Sequence, residues 1–376
     1  MSCFAVIGGG GTGGHVQPAL AVAEALVARG HDRASLRFVG SKRGMEATLV
    51  PEAGFEVTLL PGRGIQRRVT LENLGAAKGI AQACWDALSL LRQLRPAVVV
   101  TVGGYAGFAP AFAALVEKIP VLVVSYDAVP GTANRLIGRF AACNAVAFPG
   151  AGLPRARVTG PPVRSSVLAL DRTTVGRRAA CAELGLDPDR LLVLATGGSL
   201  GAQALNTAVV SFCGSWRAHA ELAVYHVAGE RNFEDVRRAA AESGLFDRGS
   251  GLDYRLAGFE RRMPLLLGAC DLVVARAGAS TVAELTALGL PSVLVPLPHS
   301  PSDHQTKNAL VLAEAGAAVV VADSQLTGER LAEVVEPLLS EPVLRASMGQ
   351  AASRLGRRDA ADQIASLAEA VARRAA

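Results

Sequence analysis

The 376-residue sequence has no apolar run of the roughly 18 residues that a bilayer-spanning helix needs. No transmembrane segment is expected. It has no Cys-x-x-Cys pair either. Its six cysteines (Cys3, Cys84, Cys143, Cys181, Cys213 and Cys270) are scattered, which argues against a metal framework or a disulfide scaffold and fits a reducing cytoplasm. No secretory leader is expected, because the first apolar run, 3–7, is short and meets glycine at Gly8. Lysine occurs only at positions 42, 78, 118 and 307, and arginine carries most of the basic charge. The net charge of +5 suits an anionic ligand or a membrane surface and falls short of a nucleic-acid signature. Half of the residues are hydrophobic and 19% are charged, the balance of a globular chain, and the length suits two domains.

Glycine, by contrast, is concentrated where a strand should meet a helix. Residues 8–15 read Gly-Gly-Gly-Gly-Thr-Gly-Gly-His, between the apolar run 3–7 and Gln17-Pro18-Ala19-Leu20. Such a turn lets backbone approach a ligand closely, and the following helix directs free N–H groups and a positive dipole end at it. A phosphate-bearing ligand fits. The turn is not a Walker A loop, since no Lys-Ser or Lys-Thr follows. It also fails as a dinucleotide fingerprint: the glycines are too dense, and no acidic residue near position 35 ends a second strand. His15 adds a titratable group. The competing reading is a tight turn with a buried histidine.

Uniform apolar runs at 4–7, 36–39, 98–102, 121–124, 191–195, 223–227, 272–274 and 292–295 alternate with helical stretches. They predict buried parallel strands in an α/β fold. The second half repeats the opening device, since 191–195 runs into Thr196-Gly197-Gly198-Ser199-Leu200-Gly201-Ala202 before a helix near Gln203. Two doubly wound domains follow, 1–161 and 162–357, divided near Gly160-Pro161-Pro162, with ligands in the cleft between them. A C-terminal helix at about 358–376 is expected to pack back on the first domain.

Two further segments carry chemistry. Residues 275–289 predict a strand end, a small-residue turn and a helix starting near Ser280 or Thr281. Backbone N–H groups at Ala279 and Ser280 suit a sugar hydroxyl or phosphate, and Glu284 can accept both hydrogen bonds of a ribose diol. The rival explanation is a capping box, Thr281-x-x-Glu284. After the loop Pro296-Leu297-Pro298-His299, the side chains of His304, Gln305 and Asn308 share one helix face suited to reading hydroxyl groups.

Taken together, Gly-Gly-Thr-Gly-Gly-His, Thr101-Val102-Gly103-Gly104-Tyr105, Ala128-Val129-Pro130-Gly131-x-x-Asn134, Thr159-Gly160-x-Pro162-Val163-Arg164, Gly197-Gly198-Ser199-x-Gly201-Ala202-x-x-x-Asn206 and the stretch 278–284 resemble, in order and over nearly the whole chain, the MurG family of peptidoglycan N-acetylglucosaminyltransferases, in glycosyltransferase family 28. The linker 162–172 looks most like that of actinobacterial members. The resemblance implies a GT-B fold of two Rossmann-like domains and inverting transfer of GlcNAc from UDP-GlcNAc to the C4 hydroxyl of the MurNAc of undecaprenyl-linked lipid I, giving lipid II.

By the same resemblance, Ser199 and neighbouring amides hold the donor diphosphate and Arg164 neutralises it. Glu284 holds the ribose, the backbone around Phe259, Glu260 and Met263 reads uracil, and His304, Gln305 and Asn308 read the sugar; Thr12, Gly13 and Ala279 complete the donor set. Gly14, His15, Tyr105, Asp127 and Asn134 are the acceptor set. His15 is the natural candidate for general base, since an unperturbed imidazole titrates near neutrality; the alternative is that it only orients substrate. No acidic Asp-x-Asp motif is read in the sequence, so metal and cofactor independence is expected. The chain departs from the family where His-Glu-x-Asn becomes Val124-Ser125-Tyr126-Asp127. Asp127 keeps a hydrogen-bonding side chain and is the second candidate base. Between 63 and 95, apolar residues such as Ile65, Ile80, Trp85 and Leu88 are mixed with Arg63, Arg67, Arg68, Lys78, Arg92 and Arg95, as suits an anionic leaflet; an amphipathic helix packed on the sheet reads the same. The expected location is cytoplasmic, peripheral on the membrane, with other cell-wall enzymes as further partners. The alternatives are a paralogue with another lipid or secondary-metabolite acceptor, a UDP-GlcNAc 2-epimerase-like enzyme, and a silent nucleotide-sugar-binding scaffold.

Overall fold

The computed structural model describes residues 3–10, 13–42, 44–61, 72–198 and 201–374. Thr12, Ser199 and the 62–71 part of the basic-apolar segment lie outside them. The chain forms two units, Met1–Ser165 with Arg357–Ala376, and Ser166–Gly356. The first unit therefore runs on past Gly160-Pro161-Pro162 to Ser165.

The first unit is built on the strands β1 (Ala5–Gly8), β2 (Leu36–Ser41), β3 (Glu56–Leu60), β4 (Val98–Thr101), β5 (Val121–Ser125), β6 (Cys143–Val146) and β7 (Ala156–Val158). They form one parallel sheet in the order β3-β2-β1-β4-β5-β6-β7. Every residue of β1, β4 and β5 is buried, as a parallel sheet covered by helices on both faces requires. Ala5 pairs with Leu36 on one side and with Val98 on the other. The chain thus winds outward from β1 in one direction and then in the other, so the loops leaving β1 and β4 diverge. That divergence opens a crevice at the carboxyl ends of the strands.

The second unit repeats the plan with β8 (Leu191–Thr196), β9 (Leu222–Val227), β10 (Asp253–Ala257), β11 (Leu272–Ala275), β12 (Ser292–Leu294) and β13 (Ala318–Val320), parallel in the order β10-β9-β8-β11-β12-β13. Its switch point lies between β8 and β11. The core has two layers, one around Leu205, Phe212, Val224 and Val274, the other around Leu194, Leu266, Val273 and Leu294.

The last helix, Ala360–Arg373, buries Ile364, Ala365, Ala368 and Val371 and packs on the helix Gly13–Ala28 and on β4, β5 and β6. Arg29, just past the end of Gly13–Ala28, grips Glu369 through Nε (3.1 Å) and Nη2 (3.0 Å) and reaches Asp362 through Nη1 (2.9 Å). Hydrogen bonding from Arg29 holds the Glu369 carboxyl below its ordinary pKa. The final helix is therefore an integral part of the first unit.

Candidate active site

In the first unit, the switch point is occupied by the segments that follow β1, β4 and β5. His15 stands in the first turn of the helix Gly13–Ala28, half-buried. It faces the turn after β4, where Gly104 adopts φ +72° and a Cβ would lie 3.2 Å from both His15 Cδ2 and the Gly10 carbonyl oxygen. A side chain there would be strained by its φ and would press on the imidazole. From the segment after β5, the ring of Tyr126 meets His15 edge-on, with centroids 6.0 Å apart and planes at 74°. Asp127 follows, half-buried. The fold therefore brings His15, Gly104 and the altered 125–127 segment together at one crevice.

Tyr126 was not singled out as a site residue from sequence. It is buried, its hydroxyl finds no partner among the described residues, and burial together with the charge of Asp127 drives its pKa well above the ordinary range. The other acceptor candidates are differently placed. Asn134 is buried, donates to the Val124 carbonyl (3.3 Å) and abuts Gly103, so it supports the turn after β4. Tyr105 turns its hydroxyl to the Pro61 carbonyl (2.9 Å), with that of Gly79 at 3.3 Å. Gly14 is exposed beside His15. Arg164 lies in the first unit, half-buried, next to Ser165, whose hydroxyl donates to Glu24 (2.6 Å).

In the second unit, the turn after β8 carries Gly197, Gly198 and Gly201 into the helix Gln203–Ser215. Ala202 is the N-cap and offers no side-chain cap, and the positive end of this helix suits an anion. A buried network fixes this helix. Asn206 donates to the Ala228 carbonyl (2.9 Å) and faces His226 Nε2 (3.0 Å), and His226 Nδ1 faces the Tyr254 hydroxyl (2.8 Å). Burial pushes the His226 pKa down to about 3, so the imidazole is neutral.

After β11, the helix Ala279–Leu288 begins at Ala279 with Gly278 as N-cap. Thr281 is thus inside the helix and cannot be its N-cap, which removes the capping-box explanation of Glu284. Arg276, also missed from sequence, is buried, donates to the carbonyls of Val295 (3.2 Å) and Pro296 (3.1 Å) and pairs with Asp323 (2.6 Å). It thereby fixes the start of a loop in which His299, Ser302 and Asp303 all adopt φ between 52° and 57°. Non-glycine residues seldom hold that conformation, and such strain gathers at ligand sites. The helix His304–Glu314 follows. Its Gln305 accepts from the Leu297 N–H (2.9 Å), and fully buried Asn308 donates to the Ala277 carbonyl (3.2 Å). Both tie the loops after β11 and β12 to this helix, and His304 is half-buried at its start.

Near the end of β10, Glu260 accepts from the Tyr225 hydroxyl (2.6 Å) and from the Arg262 N–H (2.8 Å). Burial works to raise its pKa, but these bonds and the Arg262 charge outweigh it and hold the carboxyl below its ordinary value. Burial, and after it the hydrogen bond to Glu260 and the charge of that carboxylate, push Tyr225 up to about 12 against the opposing charge of Arg262. The locked turn borders a cavity of about 750 Å³ lined by Glu230, Phe233, Phe259 and Arg262 among others, and Met263 opens the next helix, Met263–Ala269. One Asp-x-Asp run does occur, Asp187-Pro188-Asp189, but it precedes β8 at the amino end of the sheet, and Asp189 pairs with Arg178 (2.5 Å). It is remote from the loops at the carboxyl ends.

Comparison with known proteins agrees with this geometry. Residues 5–146 match the glycosyltransferase family 28 N-terminal domain and residues 192–364 match the C-terminal domain. The chain is 39% identical over 98% of its length, and 98% of the relative's, to the UDP-N-acetylglucosamine–N-acetylmuramyl-(pentapeptide) pyrophosphoryl-undecaprenol N-acetylglucosamine transferase of Desulforudis audaxviator. It is 40% identical to the protein so named in Clavibacter michiganensis, covering 98% of this chain and 97% of the relative. Among solved structures it resembles Acinetobacter baumannii MurG, with a TM-score of 0.75, 28% identity and coverage of 98% of this chain and 99% of that one. A UDP-GlcNAc 2-epimerase from Neisseria meningitidis, covering 98% of this chain and 99% of that one, shares the fold at a TM-score of 0.68 and 15% identity.

Proposed function

This chain belongs to glycosyltransferase family 28, with a GT-B fold, and from that premise we propose that it transfers GlcNAc from UDP-GlcNAc to the MurNAc C4 hydroxyl of lipid I, yielding lipid II and UDP. The observation that carries the reading is the near full-length identity to transferases of that name. In the proposed reaction, the C4 oxygen attacks the anomeric carbon as the bond to the diphosphate oxygen breaks with its electron pair. The proton passes to a base, and inversion gives a β linkage. His15 is the base we assign, because it stands at the first unit's switch point against Gly104 and Tyr126. The N-terminal ends of the helices Gln203–Ser215 and Ala279–Leu288, with their positive dipole ends, take the departing diphosphate, with Arg164 adding charge and no metal or cofactor taking part. Glu284 takes the ribose, the turn at Glu260 the uracil, and the His304–Gln305 helix start the sugar.

We further propose a peripheral position on the cytoplasmic membrane face. None of the described helices is long and apolar enough to cross a membrane. In support of surface binding, Trp85 (70% exposed), Phe112, Val116, Leu136 and Phe140 (71%) stand on or beside three helices, Glu72–Leu94, Gly104–Val116 and Thr132–Gly138, packed in series, with exposed Arg95, Lys118 and Arg139 near them.

The altered segment Ser125-Tyr126-Asp127 favours a second reading, a different lipid acceptor for the same donor. Incubation of the purified chain with UDP-GlcNAc, with and without lipid I, separates the cases. UDP release that depends on lipid I is expected. Release of ManNAc or its UDP form from donor alone would instead make the chain an epimerase.

A further inference from the structure

One carboxyl group beside the acceptor crevice has no role in the reading above. Glu46 opens the short helix Glu46–Glu52 after β2, and its side chain is fully buried. Three glycines from separate positions enclose it: Gly10 in the turn after β1, Gly40 within β2, and Gly44 in the turn that follows. A Cβ at Gly10 or Gly44 would overlap the carboxyl oxygens of Glu46, and one at Gly40 would overlap its Cγ. Neither Gly10 nor Gly40 adopts a positive φ, so it is space for Glu46, and not backbone conformation, that calls for glycine at those two positions. The Ser41 N–H donates to Glu46 Oε1 at 2.5 Å. A buried carboxyl group is costly to keep, and an apolar side chain would fill the same volume without that cost.

We propose that Glu46 is a positioning residue for the acceptor half of the reaction. Its carboxyl group is the seat against which Gly10 is laid, and through Gly10 it sets where the chain leaving β1 delivers His15. The inference rests on the reading of this turn as the acceptor site.

The test uses the full chain with Glu46→Gln, which keeps the volume and an oxygen for the Ser41 N–H. Melting temperature, amide hydrogen exchange over 8–20, and KM for lipid I and for UDP-GlcNAc are measured. Exchange in the turn is expected to quicken and KM for lipid I to rise, each by about tenfold, while KM for UDP-GlcNAc and exchange in the second unit stay unchanged. Gly10→Ala, which forces a methyl group between turn and carboxyl, is expected to reproduce that signature with Glu46 intact, and it serves if the glutamine variant does not fold. Wild-type exchange and wild-type KM for lipid I in a folded variant would overturn the proposal, as would both KM values rising together with a lowered melting temperature. If the wild-type chain makes no lipid II, the functional reading fails, and the exchange arm still decides the role of Glu46.

Discussion

At the scale of single residues, the side chains named from sequence divide into those that face the crevices and those that hold the crevices in shape. His15 and Asp127 are of the first kind. His15→Ala is expected to lower kcat by about 10²–10⁴-fold without changing the Kd of UDP-GlcNAc, as for loss of a general base. Turnover within about twofold of wild type in both His15→Ala and Asp127→Ala would remove both from the chemistry. Asn134, Asn308 and Tyr105 are committed to backbone groups, and so is the side-chain oxygen of Gln305. Sequence spacing shows that such residues share a face or a loop, but not which carbonyl or N–H each will meet. Arg276 and Glu46 went unread for the same reason, although the glycines at 40 and 44 were a usable sign that a neighbouring side chain needed room. His226 gives a pH test. Its imidazole, with a pKa of about 3, stays neutral in the folded state, whereas the unfolded chain takes up a proton below about pH 6.5. Stability should therefore be level above that pH and fall from 6.5 toward 3, by an amount on the order of 2–5 kcal/mol. His226→Gln, which can form both hydrogen bonds without titrating, is expected to flatten the melting temperature between about pH 4 and 6.5.

At the scale of elements, the strands legible in the sequence are those in the interior of each sheet, where burial on both faces demands an unbroken apolar run. The strands β3, β7, β10 and β13, which the pattern missed, are the edges of the two sheets. Edge strands have one neighbour and partial cover, so Asp253-Tyr254-Arg255 or Ala156-Arg157-Val158 need not look like a core. The interior strand β6 was hidden by buried Asn144, whose amide donates to the Gly138 carbonyl (2.9 Å). The turns, in contrast, announced themselves through glycine. Gly104→Ala puts a methyl group at φ +72° against His15, and is expected to cost about 1 kcal/mol or more of stability and to reduce transfer further than it reduces UDP-GlcNAc binding. A melting curve and a donor titration check this. For the exposed apolar helices, Trp85→Glu with Phe140→Glu should weaken partition onto anionic vesicles by about tenfold or more, with melting temperature unchanged. Sedimentation with vesicles reads the effect, and unaltered partition would place the membrane contact elsewhere.

At the scale of the whole molecule, the same device appears twice: a parallel sheet that reverses its winding, with a glycine-rich segment leading into a helix at the reversal. The sequence revealed that repetition because both turns are written in glycine after an apolar run. It did not reveal which of the polar residues the reversals would gather, since that depends on strand order. The account's central claim is that the device in the first unit serves a lipid-linked acceptor and the one in the second serves UDP-GlcNAc. The most direct measurement is to incubate the purified chain with isotopically labelled UDP-GlcNAc and lipid I, then determine the mass and anomeric linkage of the lipid product. One β-linked GlcNAc on the MurNAc C4 oxygen, with one UDP released for each, is the expected result. Absence of labelled lipid II from a protein that still binds UDP-GlcNAc would contradict the claim.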